Sequence, residues 1–254
     1  MQIRSALLTG AASGIGRAFA ETLAAAGTEL LLIDLDDAGL AETGRRIAER
    51  GGRAKTARAD VGEREQLEVM IEPLLGAEPR LDLLINCAAV LGAGLWSTQP
   101  PEVFERTIRV DLLGTANVIR AALPALRRAR GQIVVLASTA ALHGWPYLAA
   151  YSAAKFGVAG FADAIRPELK RDGIGVTAVF PLLIDTPLLG RPDTPPILRR
   201  GRRIPAHVVV DKVLRALRRR SPRVYIPATV RIVAALHAIA PALLDRYAEQ
   251  FGLE

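Results

Sequence analysis

Tyr151 and Lys155 stand four residues apart in AYSAAKFGVAG, residues 150–160. On a helix that spacing puts both side chains on one face. The chain carries four lysines against twenty-nine arginines, so a lysine one turn beyond a tyrosine, among Ala, Ser and Gly, calls for a reason. A tyrosine hydroxyl has an unperturbed pKa of about 10, too high for a base at neutral pH. An ammonium one turn away favours the phenolate and lowers that value. Tyr151 can then take a proton from an alcohol, or return it to a carbonyl. Thirteen residues earlier, Ser138 closes the apolar run GQIVVLA. Its hydroxyl can bond the same oxygen and stabilise the charge developing there.

A second constellation lies near the start. The stretch IRSALLT, residues 3–9, runs into TGAASGIGRAFA, where Gly10, Gly14 and Gly16 precede a helical pattern. Glycine permits tight turns and lets the backbone approach a ligand closely. The helix start offers free N–H groups and the positive end of the helix dipole to a phosphate. The spacing T-G-x-x-x-G-x-G differs from the common G-x-G-x-x-G fingerprint. Asp34 closes the next apolar run, ELLLID, eighteen residues after Gly16. A carboxylate there accepts hydrogen bonds from the adenosine ribose hydroxyls. It also repels a 2′-phosphate, and the residue that follows is Leu35 rather than an arginine. NAD is therefore favoured over NADP. Asp60, in RADV, has two open readings: a contact to the adenine amine, or a cap for the helix that follows.

These residues need a scaffold that brings them together. Short apolar runs at 3–9, 29–34, 53–58, 82–86, 131–137, 174–180 and 223–226 alternate with helical patterns near 14–26, 38–51, 63–77, 101–129, 151–172 and 207–220. The alternation predicts a doubly wound, Rossmann-type α/β fold, a parallel sheet with helices on both faces. Asp34 and Ser138 then fall at carboxyl ends of strands, where open sheets bind ligands. No linker or repeat divides the chain, so residues 1–254 read as one domain. Residues 185–205, DTPLLGRPDTPPILRRGRRIP, break the rhythm as an irregular, lid-like segment. Residues 228–250 form a helical extension, with Ile232, Val233, Leu236, Ile239, Leu243, Leu244 and Tyr247 at helical spacing. Pro241 should break or bend it.

Composition narrows the class. Half of the 254 residues are hydrophobic. The single Cys87 excludes an internal disulfide, gives no metal-ligand spacing and fits a reducing compartment. MQIRSALLTG enters a strand pattern at once, which leaves no room for a signal peptide. The most apolar long stretch, 228–244, contains Arg231 and His237 and is no membrane span. A cytoplasmic protein is expected. The net charge of +7 is concentrated between Arg191 and Arg231, which holds twelve Lys or Arg against two Asp. A local basic segment points to an acidic ligand, an anionic surface or a solvated face rather than to nucleic acid.

Taken in order, these motifs resemble those of the short-chain dehydrogenase/reductase family. Its cofactor motif matches Thr9, Gly10, Gly14 and Gly16, its Y-x-x-x-K motif matches Tyr151 and Lys155, and its catalytic serine matches Ser138. The resemblance covers about residues 1–190. It implies an NAD-dependent oxidoreductase with Lys155 on the nicotinamide ribose. It also implies that Ser13, Ile15, Val61, Asn86, Ala88, Pro181 and Thr186 surround the cofactor. A homodimer or homotetramer through the 101–129 and 151–172 helices is implied in the same way.

Three positions depart from the family pattern: Ala89 and Leu182 replace glycines, and Asp111, in RVDLLGT, replaces an asparagine. Ala89 adds a methyl near the cofactor ribose. Leu182, after Pro181, disfavours a left-handed or close-approach backbone beside the nicotinamide carboxamide, where Thr186 is retained. Asp111 keeps the backbone carbonyl that holds a relay water in the family, but exchanges an amide donor for a charge. Two readings stay open. Its carboxylate lies near Lys155, holds the lysine charged and partly cancels its field at Tyr151; or Asp111 only preserves an isosteric helix kink.

Strand-end positions place Leu91, Ala140, Leu142, His143, Trp145, Leu182 and Leu188 along the pocket. They are mostly apolar and point to an apolar alcohol or ketone, such as a steroid or lipid. His143 is expected to be a solvated loop residue, and Cys87 a small packing residue. His207 and His237 receive no role. The C-terminal extension either lies on an anionic membrane surface or covers the sheet or a dimer interface, the reading preferred here. Two other functions compete. One is a 3-oxoacyl-thioester reductase whose basic segment grips phosphopantetheine, coenzyme A or an acidic carrier, which Asp34 opposes. The other is a cofactor-binding regulatory protein with a decayed site, which the joint presence of Ser138, Tyr151 and Lys155 opposes.

Overall fold

The computed structural model describes residues 2–76, 79–190, 194, 195, 198 and 201–250. Seven parallel strands form its main sheet: β1 (Ser5–Thr9), β2 (Glu29–Asp34), β3 (Ala54–Arg58), β4 (Leu83–Asn86), β5 (Gln132–Leu136), β6 (Gly175–Pro181) and β9 (Arg223–Ile226). Their order across the sheet is β3-β2-β1-β4-β5-β6-β9. β4 and β5 are buried along their whole length, as expected of continuous Leu/Ile/Val runs covered on both faces. β3, AKTAR, is the polar edge.

The pleat sends alternate residues to two cores. Ala6, Leu8, Leu30 and Leu32 pack with Phe19, Ala20 and Leu23 of α1 (Gly14–Ala25), with Leu40 and Ile47 of α2 (Asp37–Glu49), and with Val209, Val210 and Val213 of α7 (Ala206–Arg218). Leu7, Leu31 and Ile33 face the opposite layer. There they meet Leu67 and Ile71 of α3 (Arg64–Leu75), Val118 and Ala122 of α5 (Gly114–Ala129), and Val158 and Ala162 of α6 (Ala149–Lys170). This is the doubly wound fold that the alternating pattern predicts. The strand order reverses at β1, between β2 on one side and β4 on the other, and that crevice is where open sheets take ligands.

Three regions refine the expectation. The helix anticipated over 101–129 is α4 (Pro101–Thr107), a π-helical turn at Ile108–Leu113, and α5. π-turns inside helices are wide and mark functional sites with unusual frequency; this one carries Asp111. Within 185–205, β7 (Ile184–Asp185) pairs with β8 (Ile204–Pro205) around a 3₁₀ turn at Pro187–Gly190. Residues 191–193, 196, 197, 199 and 200 of that segment lie outside the described residues. The C-terminal extension divides as expected at proline: α8 (Val230–Ile239) ends and Pro241 opens α9 (Pro241–Glu249).

Several charges of the basic window are engaged internally. Arg203 reaches Asp185 at 3.4 Å, Arg220 donates to the Gly173 carbonyl at 2.9 Å, and Arg223 pairs with Asp163. No described helix is long and apolar enough to cross a membrane.

Candidate active site

Three elements converge beyond the carboxyl end of β5. Ser138 follows that strand in extended conformation, and its Oγ accepts from the Ala140 N–H at 3.1 Å, capping a short 3₁₀ turn. α6 begins at Ala149 and carries Tyr151 and Lys155 on successive turns. The π-turn brings Asp111 in from the other side.

Lys155 is 3% exposed. Its Nζ donates to the Leu136 carbonyl at 3.0 Å, lies 3.0 Å from Asp111 Oδ2, and sits 5.4 Å from the centre of the Tyr151 ring. Asp111, 1% exposed, accepts from the Val90 N–H at 2.8 Å on its other oxygen. Its own carbonyl accepts from Thr115 Oγ1 at 2.7 Å. Of the two readings of Asp111, the geometry supports contact with Lys155.

Electrostatics follow from this packing. Burial pushes the Tyr151 hydroxyl above its ordinary range; Asp111 pushes in the same direction, while Lys155 and a Ser138 hydrogen bond oppose. The depression expected from Lys155 is therefore present but outweighed. Burial also pushes the Asp111 carboxyl up, against Lys155 and the Val90 N–H. Burial pulls the Lys155 ammonium down, but Asp111 and Tyr151 outweigh it and the net shift is upward. Cys87 lines the same cleft, and burial pushes its thiol up to about 12, so it is neutral.

The glycine turn forms a cradle that side chains cannot fill. Gly10 has φ +65, and a Cβ there would lie 2.6 Å from the Ala88 nitrogen. A Cβ on Gly16 would lie 2.0 Å from the Gly10 carbonyl oxygen. Ser13 stands at the N-cap of α1 without a side-chain cap bond, so its hydroxyl does not occupy the first-turn N–H groups. Thr9 Oγ1 donates to Asn86 Oδ1 at 3.4 Å and accepts from the Ala88 N–H at 3.3 Å, tying β1 to β4. Asn86 Nδ2 is buried with no partner among the described residues, a donor left for a ligand. Asp34 accepts from the Ala12 N–H at 2.9 Å and the Asp36 N–H at 3.0 Å, which fixes its carboxylate against the turn.

Other expected cofactor residues divide. Ile15, Pro181 and Thr186 line the cleft. Thr186 turns its methyl toward Gly14, 3.0 Å from where a Cβ would stand. Asp60 accepts from the Gly62 N–H at 2.8 Å and so holds the turn into α3. Val61 is buried, packs against Gly114 and accepts from Asn117 Nδ2 at 3.1 Å through its carbonyl. Neither Ala89 nor Leu182 adopts a positive φ; Leu182 donates its N–H to the Ile226 carbonyl at 2.8 Å, and both residues line the cleft.

The cleft measures ≈ 760 Å³ and is mainly apolar. Leu91, Ala140, Trp145, Leu182 and Leu188 line it as expected. Leu142 and His143 are absent from its wall. The expectation of a solvated His143 is also corrected. The ring is 3% exposed, with Nδ1 3.4 Å from His237 Nδ1, Nε2 3.8 Å from Asp245 Oδ1, and an edge on Trp145. Burial lowers its pKa and His237 adds to the lowering, while Asp245 opposes. His237, without a role in the sequence reading, therefore fastens α8 to the site. α9 then brings Tyr247 and the following Gln250 to the wall of the cleft. No local motif announces this contact, because His143 and His237 are 94 residues apart.

A glycine cradle at the reversal of a parallel sheet, beside a serine, a tyrosine and a lysine, defines a dinucleotide-binding oxidoreductase class. Residues 4–194 match the profile of the short chain dehydrogenase family, and the chain belongs to that family. It is 34% identical over 248 residues to the probable oxidoreductase EphD of Mycobacterium tuberculosis, covering 95% of this chain and 41% of that protein. The chain thus spans about two fifths of that relative's length. It is 29% identical over 240 residues to estradiol 17-beta-dehydrogenase 11 of Mus musculus, covering 92% and 79%. Among solved structures, a short-chain dehydrogenase/reductase from Burkholderia phymatum in complex with NAD superposes with a TM-score of 0.87 at 23% identity, over 96% and 95% of the two chains. A variant of the actinorhodin polyketide ketoreductase with NADPH gives 0.79 at 27% identity, over 90% and 97%.

Proposed function

We propose that the protein transfers a hydride between NAD(H) and an apolar secondary alcohol or ketone, with Tyr151 as the general acid and base. The observation that carries this reading is the meeting of Ser138, Tyr151 and Lys155 along one mainly apolar cleft. The cradle fits a dinucleotide: Gly10 and Gly16 allow a turn so tight that a Cβ would strike the Ala88 and Gly10 backbone, and Asn86 Nδ2 is a buried donor with no partner among the described residues. Gly10, Gly14 and the start of α1 would hold the pyrophosphate, Asp34 the adenosine ribose, Lys155 the nicotinamide ribose, and Thr186 the carboxamide. When bound, the nicotinamide supplies or accepts the hydride. Ser138 orients the substrate oxygen, and Tyr151 exchanges a proton with it. The apolar wall excludes water and favours a steroid- or lipid-like substrate. The estradiol dehydrogenase likeness supports the same substrate class. Exposed Leu113 and Phe156, beside or on the helices expected at a subunit interface, support a homo-oligomer.

A second reading, reduction of a 3-oxoacyl thioester with NADPH, is supported by the 27% identity to a polyketide ketoreductase. The two separate in a screen of NAD(H) and NADP(H) against secondary alcohols, sterols, ketones and acyl thioesters. The apolar-alcohol reading requires turnover with NAD(H) and free alcohols or ketones; activity confined to thioesters with NADPH rejects it.

Asp34 sets the cofactor choice. Arg17 is engaged with the Ala12 carbonyl and, at 3.0 Å, with Thr43 Oγ1, so its guanidinium is committed to the turn. Asp34→Ser is expected to cut the ratio of kcat/KM for NAD over NADP about tenfold, equivalent to about 1.4 kcal/mol. A wild-type enzyme that prefers NADP contradicts the role given to Asp34.

A further inference from the structure

An ammonium has three N–H donors. At Lys155 one meets the Leu136 carbonyl at 3.0 Å and a second lies toward Asp111 Oδ2, also at 3.0 Å. One donor remains for a ligand. Asp111 accepts from the Val90 N–H on Oδ1, while Oδ2 faces the ammonium as an ion pair and has no hydrogen-bond partner among the described residues. The 3.0 Å contact makes the two an ion pair, in which a cation and an N–H favour the carboxylate and burial opposes it. From Tyr151 the pair presents a dipole, whose field is weaker and falls faster than that of a lone cation.

We propose that Asp111 is a positioning residue that neutralises Lys155 and so keeps Tyr151 in its phenol form, setting the site to work as a carbonyl reductase at neutral pH. This rests on the function proposed above and adds its direction. The groups facing Tyr151 divide. Lys155 acts from α6, Ser138 from the end of β5 and Asp111 from the π-turn. Cys87, after β4, contributes a neutral thiol. Burial and Asp111 together outweigh Lys155 and Ser138, and the phenol is favoured.

The step balances. When bound, the reduced nicotinamide would supply the hydride, two electrons with one proton, to the carbonyl carbon and would itself be oxidised. The carbonyl π bond breaks. Its oxygen takes the Tyr151 proton, the product is an alcohol, and a solvent proton restores the phenol. The reverse step needs the phenolate, which this site supplies only in alkali.

The test has two parts. The tyrosinate absorbance of Tyr151 is read without cofactor, as wild type minus Tyr151→Phe, against pH. Wild type should ionise only near or above about pH 10. Asp111→Asn, which keeps the shape and removes the charge, should lower the onset by about one pH unit or more. In kcat/KM, the alkaline fall of ketone reduction and the alkaline rise of alcohol oxidation should move down together by the same interval. A purely structural role would lower rates without moving either limb. Tyr151 ionised near neutrality in wild type overturns the proposal, as does an onset unchanged in Asp111→Asn. If that variant does not fold, the wild-type titration and Asp111→Ser decide. Absence of turnover in both directions rejects the proposed function, while the cofactor-free titration still judges Asp111.

Discussion

Tyr151→Phe is expected to lower kcat/KM by at least about 10²–10⁴-fold in both directions, the range for a lost acid–base group. The ring is half-buried, against Lys155 on one side and the cleft on the other. Phenylalanine keeps that packing and removes only the hydroxyl, so the fold and the glycine cradle stay intact. Dinucleotide affinity, read by fluorescence titration, should change by no more than a few-fold, because Asp34, Gly10 and Asn86 are untouched. A fall confined to KM would reassign Tyr151 to binding. Near-normal turnover would remove it from the chemistry.

Lys155→Met is expected to damage stability as well as rate. It deletes the charge opposite Asp111 at 3.0 Å. An uncompensated buried carboxylate costs about 3–5 kcal/mol, so the variant should lose about that much at neutral pH. Burial already holds the Asp111 carboxyl above its usual range, and loss of the ammonium raises it further. The folded variant then binds a proton that the unfolded chain, with an Asp value of about 3.9, has released. The deficit is therefore full above the raised value and fades as pH falls toward the unfolded one. Adding Asp111→Asn should return most of the loss at neutral pH. Denaturant midpoints of the single and double variants at two pH values measure both effects. A loss below about 1 kcal/mol without pH dependence would contradict an ionised buried pair.

The sheet was legible because its strands are unusually plain. Leu83–Asn86 and Gln132–Leu136 are buried end to end, and their apolar runs stand between helical patterns. The contact of Asp111 with Lys155 was one of two readings open from sequence, because a single substitution changes charge without changing spacing. The π-turn is not legible in the sequence, because the single wide turn Ile108–Leu113 spans too few residues to set a period of its own. His143 departs from the sequence expectation for a different reason. A histidine after a strand is usually solvated, and the return of α8 and α9 sets His237 and Asp245 against it. Tyr247 falls on an apolar stripe in the sequence, but its place in the wall of the cleft is tertiary information.

The central claim is hydride exchange between a nicotinamide and an apolar carbonyl in the cleft beside Tyr151. It is tested most directly by incubating the protein with NADH deuterated at C4 and a panel of apolar ketones, steroids among them, and analysing the products by mass spectrometry. The expected product is an alcohol with one deuterium on its carbinol carbon, formed by the wild type and lost in Tyr151→Phe. Cofactor bound normally, with no deuterated alcohol from any ketone of the panel, would contradict the claim.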